Sequence, residues 1–268
     1  MSLVVSLRIP DGIVLAADSL STQTSAMQIM ADLQATCPEC NKQFPIKEFK
    51  LPPVPFASSS RSFAQKITSL RKSDCGYHFG IATFGFGIIN GKTIYYHLRL
   101  INDDKAFSGL KECANYIAEY FSEQLRQQFK DVDQMPEDAF PLGFQVVGYE
   151  DKISKTYLLN LGKKNRITIL DKVGCTFGGE GFLVNKMWEL KKEIPDIGIN
   201  YHSLSLQDAV DLAEYYITAT AQLQRFSNRH PTVGGDVDIA LITSYSGFKW
   251  IKCKEMTKIL EKDKEKEG

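Results

Sequence analysis

The sequence predicts an α+β fold, a four-layer αββα sandwich of two mainly antiparallel sheets. Two observations carry that prediction. The chain opens on a strand pair at its extreme N-terminus, Leu3-Val4-Val5-Ser6-Leu7-Arg8-Ile9 and Ile13-Val14-Leu15-Ala16-Ala17-Asp18, joined by the turn residues Pro10-Asp11-Gly12. Beyond it, strand-like and helix-like segments alternate in blocks: strand, two helices, a four-strand meander, two helices, a final strand pair. Two sheets, each covered by one helix pair, accommodate that order.

Each element has its own signal. Residues 23–62 change character, with Cys37-Pro38-Glu39-Cys40, then Pro45, Pro52, Pro53, Pro55 and Ser58-Ser59-Ser60. The proline density excludes a regular helix or a central strand, so the segment reads as an elaborated loop or small insertion. Regularity returns at Phe63–Leu70, and Tyr77–Phe84 reads as a strand ending in Gly85-Phe86-Gly87. Of the next two helices the second is the clearer, with Leu110, Cys113, Ile117, Tyr120, Phe121 and Leu125 three or four residues apart. The meander is Gly143–Gly148, Thr156–Leu161, Arg166–Leu170 and Lys172–Phe177. Gly178-Gly179-Glu180-Gly181 then opens a helix through Leu190. A longer helix, Leu206–Leu223, turns Val210, Leu212, Ala213, Ile217 and Ala221 inward and precedes strands Val237–Thr243 and Phe248–Ile251. The whole reads as one domain, residues 1–268, with the insertion at about 23–62 and a mixed-charge tail at about 258–268.

Composition narrows the function classes. With 43% hydrophobic residues in 268, the chain can bury a full core. Thirty-two basic residues balance thirty-two acidic ones, which argues against a nucleic-acid groove or a membrane-surface patch. No apolar run reaches the ~18 residues of a membrane span. No secretory signal is evident, and six cysteines then fit free thiols or a metal in a cytoplasmic protein.

The candidate chemistry begins at Ser2. Initiator methionine is generally removed before a small residue, leaving Ser2 with a hydroxyl and a free α-amine, a nucleophile carrying its own base. Cys37-x-x-Cys40 is half a zinc site, and Cys75-x-x-His78 completes a Cys₃His set for a structural zinc. The alternative for Cys75 and His78 is an ordinary place in the core at a strand start. Trp188 and Trp250 read as core or interface aromatics.

The opening hairpin, the Gly178-Gly179-Glu180-Gly181 helix start and Val233-Gly234-Gly235-Asp236-Val237-Asp238-Ile239-Ala240 together resemble the proteasome β-subunit family of N-terminal-nucleophile hydrolases. Its bacterial members include the heat-shock-locus protease subunit and the ancestral β-subunit type. The resemblance implies Ser2 as nucleophile, Asp18 and Lys66 as its acidic and basic partners, and Gly85 as the oxyanion donor. It places Thr22, Thr83 and Gly87 around the substrate. It also implies a peptidase or amidohydrolase acting through an acyl-enzyme, with no cofactor required. Substrates would be polypeptide or peptide and the assembly a homo-oligomeric ring or stack, with room for an unfoldase partner.

The chain departs from the family pattern twice. Gly179 stands where active members carry a serine, and His230 lies nearest to an expected carboxylate, with Ser227, Asn228 and Thr232 as nearby polar substitutes. The competing reading is therefore an inactive structural or partner-binding paralogue. A gating role is disfavoured, since no extension precedes the first strand.

Overall fold

A computed structural model describes residues 2–27, 30–31, 34–36, 39–40, 43–45, 49–50, 54–73, 78–130, 132–182, 184–186, 189, 198–228 and 230–254. They fall into two compact units, one built from Met1–Ser21 with Arg61–Gly268, the other from Thr22–Ser60. The charged tail and Trp188 lie outside the described residues.

The larger unit begins with β1 (Leu3–Ile9) and β2 (Gly12–Asp18). Ile9 pairs with Gly12, so the turn between them is the two residues Pro10-Asp11, and the glycine already belongs to the second strand. Both strands are buried along their whole length, which is why they read as near-continuous apolar runs.

The smaller unit contains β3 (Ser21–Met27), β4 (Met30–Ala31), β5 (Gln34–Thr36), β6 (Gln43–Pro45), β7 (Phe49–Lys50) and β8 (Val54–Arg61). These pair in nested order, β3 with β8, β4 with β7 and β5 with β6, so the segment is a broken antiparallel ribbon. The segment read as an elaborated loop or small insertion is a unit of its own, and its described residues form paired strands. Pro45 and Pro55 sit in strands because each strand of a two-stranded ribbon has an unpaired edge, where a missing N–H costs no ladder bond.

The remaining elements of the larger unit are β9 (Ile67–Arg71), β10 (His78–Gly85), the short pair β11 (Ile88–Ile89) and β12 (Lys92–Thr93), α1 (Ile94–Asp104) and α2 (Leu110–Gln128). Then come the meander strands β13 (Leu142–Glu150), β14 (Ile153–Leu161) and β15 (Arg166–Leu170), and β16 (Gly174–Gly179), which the sequence placed in the same meander but which pairs with β1 in the other sheet. Helical residues within 182–189 form α3, followed by α4 (Leu206–Arg225), β17 (Val237–Thr243) and β18 (Gly247–Lys252).

One five-stranded antiparallel sheet runs β16-β1-β2-β17-β18 and the other β15-β14-β13-β10-β9. Helices α1 and α2 bury Leu98, Ile117, Phe121 and Leu125 against the second sheet. On the other side, α4 buries Val210, Ala213, Tyr216 and Ile217 against Leu3, Val5, Leu7, Val14 and Ala16 of the first. Between the sheets lie Val4, Ile13, Leu15, Ala17, Ala240 and Ile242, facing Ile67, Ala82, Phe84 and Val147. The αββα layering follows from these three separate cores.

The middle layer also holds polar groups that fix the register of the sheets. Arg8 is buried, donating through Nη1 to Thr156 Oγ1 (2.9 Å) and Thr176 Oγ1 (2.8 Å) and through Nε to the Lys172 carbonyl (2.9 Å). Burial presses its proton affinity below the ordinary guanidinium value. At the opposite end of β1 the ring of Phe84 lies over Gly143 and Gly178, where a Cβ would overlap it. Those two glycines let one aromatic ring bridge the sheets beside Gly85.

The core predicts its own sensitivities. Phe121→Ala, beneath the second sheet, is expected to cost about 3–5 kcal/mol in urea unfolding. Tyr215→Ala, on the exposed face of α4, is expected to change stability by no more than about 0.5 kcal/mol in the same measurement.

Candidate active site

Strand ends of both sheets gather at one end of the sandwich. The start of β1 lies opposite the ends of β2 and β16, and the end of β2 pairs with the start of β17. In the second sheet the end of β10 meets the start of β13, next to the start of β9. Antiparallel pairing thus delivers Ser2, Asp18, Lys66, Gly85 and Gly179 to the same region from positions far apart in sequence.

Asp18, at the last position of β2, is fully buried, and its two oxygens accept four donors. Oδ1 takes the Leu3 N–H (3.0 Å) and Lys66 Nζ (2.6 Å). Oδ2 takes the Leu20 N–H (3.2 Å) and the Gly234 N–H (3.0 Å). A buried carboxylate persists as the anion only with this kind of saturation. Lys66 is 5% exposed and donates a second bond to the Leu20 carbonyl (2.6 Å).

The position of Lys66 is set by the sheet. It directly precedes β9, and its carbonyl accepts the Thr83 N–H (3.0 Å), continuing the β9–β10 ladder by one rung. Burial lowers the proton affinity of its ammonium, and the charge and hydrogen bond of Asp18 oppose that fall. A second buried pair, Asp238 with Lys254, acts on it electrostatically, the lysine lowering and the aspartate raising its affinity. Burial raises the Asp238 carboxyl itself, with Lys254 opposing.

Ser2 is buried at the mouth of β1. Its carbonyl accepts the Glu180 N–H (2.8 Å), while the next N–H, that of Leu3, is held by Asp18. The Ser2–Leu3 peptide is therefore fixed on both sides. Gly179 presses directly on it: with φ of 85°, any Cβ there would overlap the Ser2 carbonyl oxygen. A serine at this position, as the family pattern has it, does not fit this backbone. Only glycine allows so close an approach of the two backbones.

Gly85 ends β10 at φ 91°, with no room for a Cβ against the Pro141 carbonyl. That carbonyl accepts the Phe86 N–H (2.9 Å), pinning the turn. Thr83 is buried one turn of the pleat earlier, and Gly87 closely approaches Ser21, where a Cβ would stand 3.0 Å from its Oγ. Thr22 belongs to the smaller unit, where it is buried in β3. His230 is exposed, on the rim of an open pocket that also borders Leu20, Gln224, Val233 and Gly234.

Of the zinc set, Cys37 and Cys75 lie outside the described residues; Cys40 is exposed in a turn of the smaller unit and His78 is half-buried at the start of β10. The sequence reading missed Leu20 and Gly234, which act through backbone groups, and the Asp238–Lys254 pair. Asp238 stood within the Gly-Gly strand motif and offered a signal; Lys254 offered none.

Among the described residues, no helix is long and apolar enough to cross a membrane. No protein-family model and no curated protein matches the chain. Solved structures do share its fold. A glycine mutant of Anbu from Hyphomicrobium sp. strain MC1 is 14% identical, with a TM-score of 0.50 over 99% of this chain and 94% of that one. Anbu, the ancestral beta-subunit, from Yersinia bercovieri is 12% identical, with a TM-score of 0.51 over 99% and 93%. At these identities the likeness is one of fold.

The packing of Gly179 on Ser2 gives a direct test. Gly179→Ser is expected to lose at least about 2 kcal/mol of stability by thermal unfolding, from a strained left-handed backbone and the displaced Ser2 carbonyl.

Proposed function

We propose that the chain is an N-terminal-serine peptidase or amidohydrolase of the proteasome β-subunit type, acting on peptide or unfolded polypeptide. The observation that carries this reading is the buried Asp18–Lys66 pair, which shares a carboxylate oxygen with the N–H that follows Ser2. A buried ion pair at the start of the first strand, on a fold shared with the ancestral beta-subunit, supports chemistry at residue 2.

In this reading removal of Met1 frees the Ser2 α-amine. An unperturbed α-amine titrates near ~7.7–8.0, and the Lys66 charge lowers it further, so the neutral amine is abundant at neutral pH. The amine takes the Ser2 hydroxyl proton as Oγ bonds to the substrate carbonyl carbon. The Gly85 N–H stabilises the resulting oxyanion, a contribution of about 2.7–4 kcal/mol for one such donor. Collapse expels the leaving amine, which receives the proton from the α-ammonium and leaves an ester on Ser2. Water, activated by the same amine, then hydrolyses the ester. Asp18 holds Lys66 charged and oriented throughout. Thr22, Thr83 and Gly87 complete the proposal as substrate contacts, within a homo-oligomeric cytoplasmic assembly that an unfoldase could serve.

Intact mass before and after a peptide epoxyketone tests the nucleophile, because that electrophile closes a stable ring only on a residue offering both hydroxyl and α-amine. The expected result is loss of Met1 and a single adduct on Ser2, absent in Ser2→Ala and at least ~100-fold slower in Lys66→Ala. Retained Met1, or a free but inert Ser2, would leave a shared fold without this chemistry, the inactive-paralogue reading.

The electrostatics predict a pH signature. Asp18 raises the proton affinity of Lys66 against the opposing effect of burial, so Asp18→Asn shifts Lys66 deprotonation to lower pH. The alkaline fall in the adduct-formation rate is expected to move down with it. In Lys66→Arg, which stays charged, the part of that fall due to residue 66 should vanish.

A further inference from the structure

The loop that offers the Gly234 N–H to Asp18 is held by a single side chain from α4. Gln224 stands in the last turn of that helix, and its Oε1 accepts the N–H groups of Thr232 (2.8 Å) and Val233 (3.0 Å). Its Nε2 donates to Thr232 Oγ1 (3.1 Å). Two backbone donors on one oxygen fix which way the amide faces, since an NH₂ group there could accept neither.

The residue after Val233 relays this grip. Gly234 donates its N–H to Asp18 Oδ2 (3.0 Å), and its carbonyl accepts from Ser19 N–H (3.1 Å) and Leu20 N–H (2.8 Å). The Leu20 carbonyl in turn accepts from Lys66 Nζ (2.6 Å). Gln224 touches neither Asp18 nor Lys66 through any of these bonds, yet both ligate groups whose placement it controls. Its own base is rigid. α4 is packed on the first sheet through Ala213, Tyr216 and Ile217, and a reciprocal Ser205–Asp208 capping box closes its start.

We propose that Gln224 is a positioning residue for the Asp18–Lys66 pair, locking the 232–234 loop so that the Gly234 N–H and the Leu20 carbonyl stay aimed at the carboxylate and the ammonium. His230, at the place where the family pattern expects a carboxylate, is exposed to solvent; the loop is held instead from the helix. The catalytic meaning of this role rests on the peptidase reading, but the geometry stands without it.

The test compares full-length Gln224→Leu and Gln224→Glu with the parent chain. Leu keeps the bulk and removes the acceptor; Glu keeps an acceptor oxygen for both N–H groups. Amide hydrogen exchange is read at Leu20 and Gly234, whose N–H groups bond to the Gly234 carbonyl and to Asp18, not to Gln224. The expected result is at least about tenfold faster exchange at both in the Leu variant, with Phe144 and Val146 in β13 unchanged and Glu restoring protection to within about threefold. Epoxyketone adduct formation is read in parallel, its maximal rate expected to fall at least about tenfold at an unchanged half-saturating concentration. Unchanged exchange at Leu20 and Gly234, uniform acceleration across the chain, or failure of Glu to restore protection would overturn the assignment. If the Leu variant does not fold, Gln224→Ala reads the same two amides. If parent Ser2 forms no adduct, the peptidase reading fails, while the exchange measurement still decides the role of Gln224.

Discussion

The larger unit is organised around one buried carboxylate. Asp18 gathers the first residue of β1, the segment leaving β2, the lysine before β9 and the loop before β17 onto two oxygen atoms. An anion taken out of water is tolerable only when its lone pairs are filled, so each of these four segments is constrained by the needs of the same group. Removing a partner from a buried pair of this kind costs about 3–5 kcal/mol, because the other charge is left stranded. The pair is thus a poor choice for stability alone and a good one for fixing a charge at a chosen point.

Glycines around the site serve close approach of the backbone. Gly179 meets the Ser2 backbone directly. Gly85 is likewise wedged against Pro141, with a left-handed backbone that strains any other residue. The Ser2–Leu3 peptide is positioned by the Glu180 N–H on one side and the Asp18 carboxylate on the other. Order at this end of the sandwich comes from one carboxylate at a strand end and the main-chain groups of the neighbouring strand and loops that it binds.

Electrostatically, Lys66 sits between opposing influences. Burial weakens its hold on the proton and Asp18 strengthens it, while in the neighbouring pair Lys254 weakens it and Asp238 strengthens it. Two lysines and two aspartates share a small buried volume contributed by β2, β17, the residue before β9 and the segment after β18. A balanced set lets one ammonium remain charged in a dry site without an uncompensated net charge.

The sequence by itself determined the parts whose signal is local. Two apolar runs and the Pro10-Asp11-Gly12 turn gave the opening hairpin, helical spacing gave α2 and α4, and the order of blocks gave the sandwich. Ser2 stood out by its hydroxyl and its place after the initiator methionine, whereas Asp18 and Lys66 were named through the family resemblance. Residues 23–62 were legible as an elaborated loop or small insertion but not as paired strands, because proline density reports the absence of a central strand and is silent about paired edges. Tertiary structure alone decided how the site is held. Gly234 reaches Asp18 across 216 residues with a backbone N–H, and Leu20 reaches Lys66 with a carbonyl. Every residue but proline carries such an N–H and every residue a carbonyl, so neither leaves a mark in the sequence. Only the fold selects which of them face the charge.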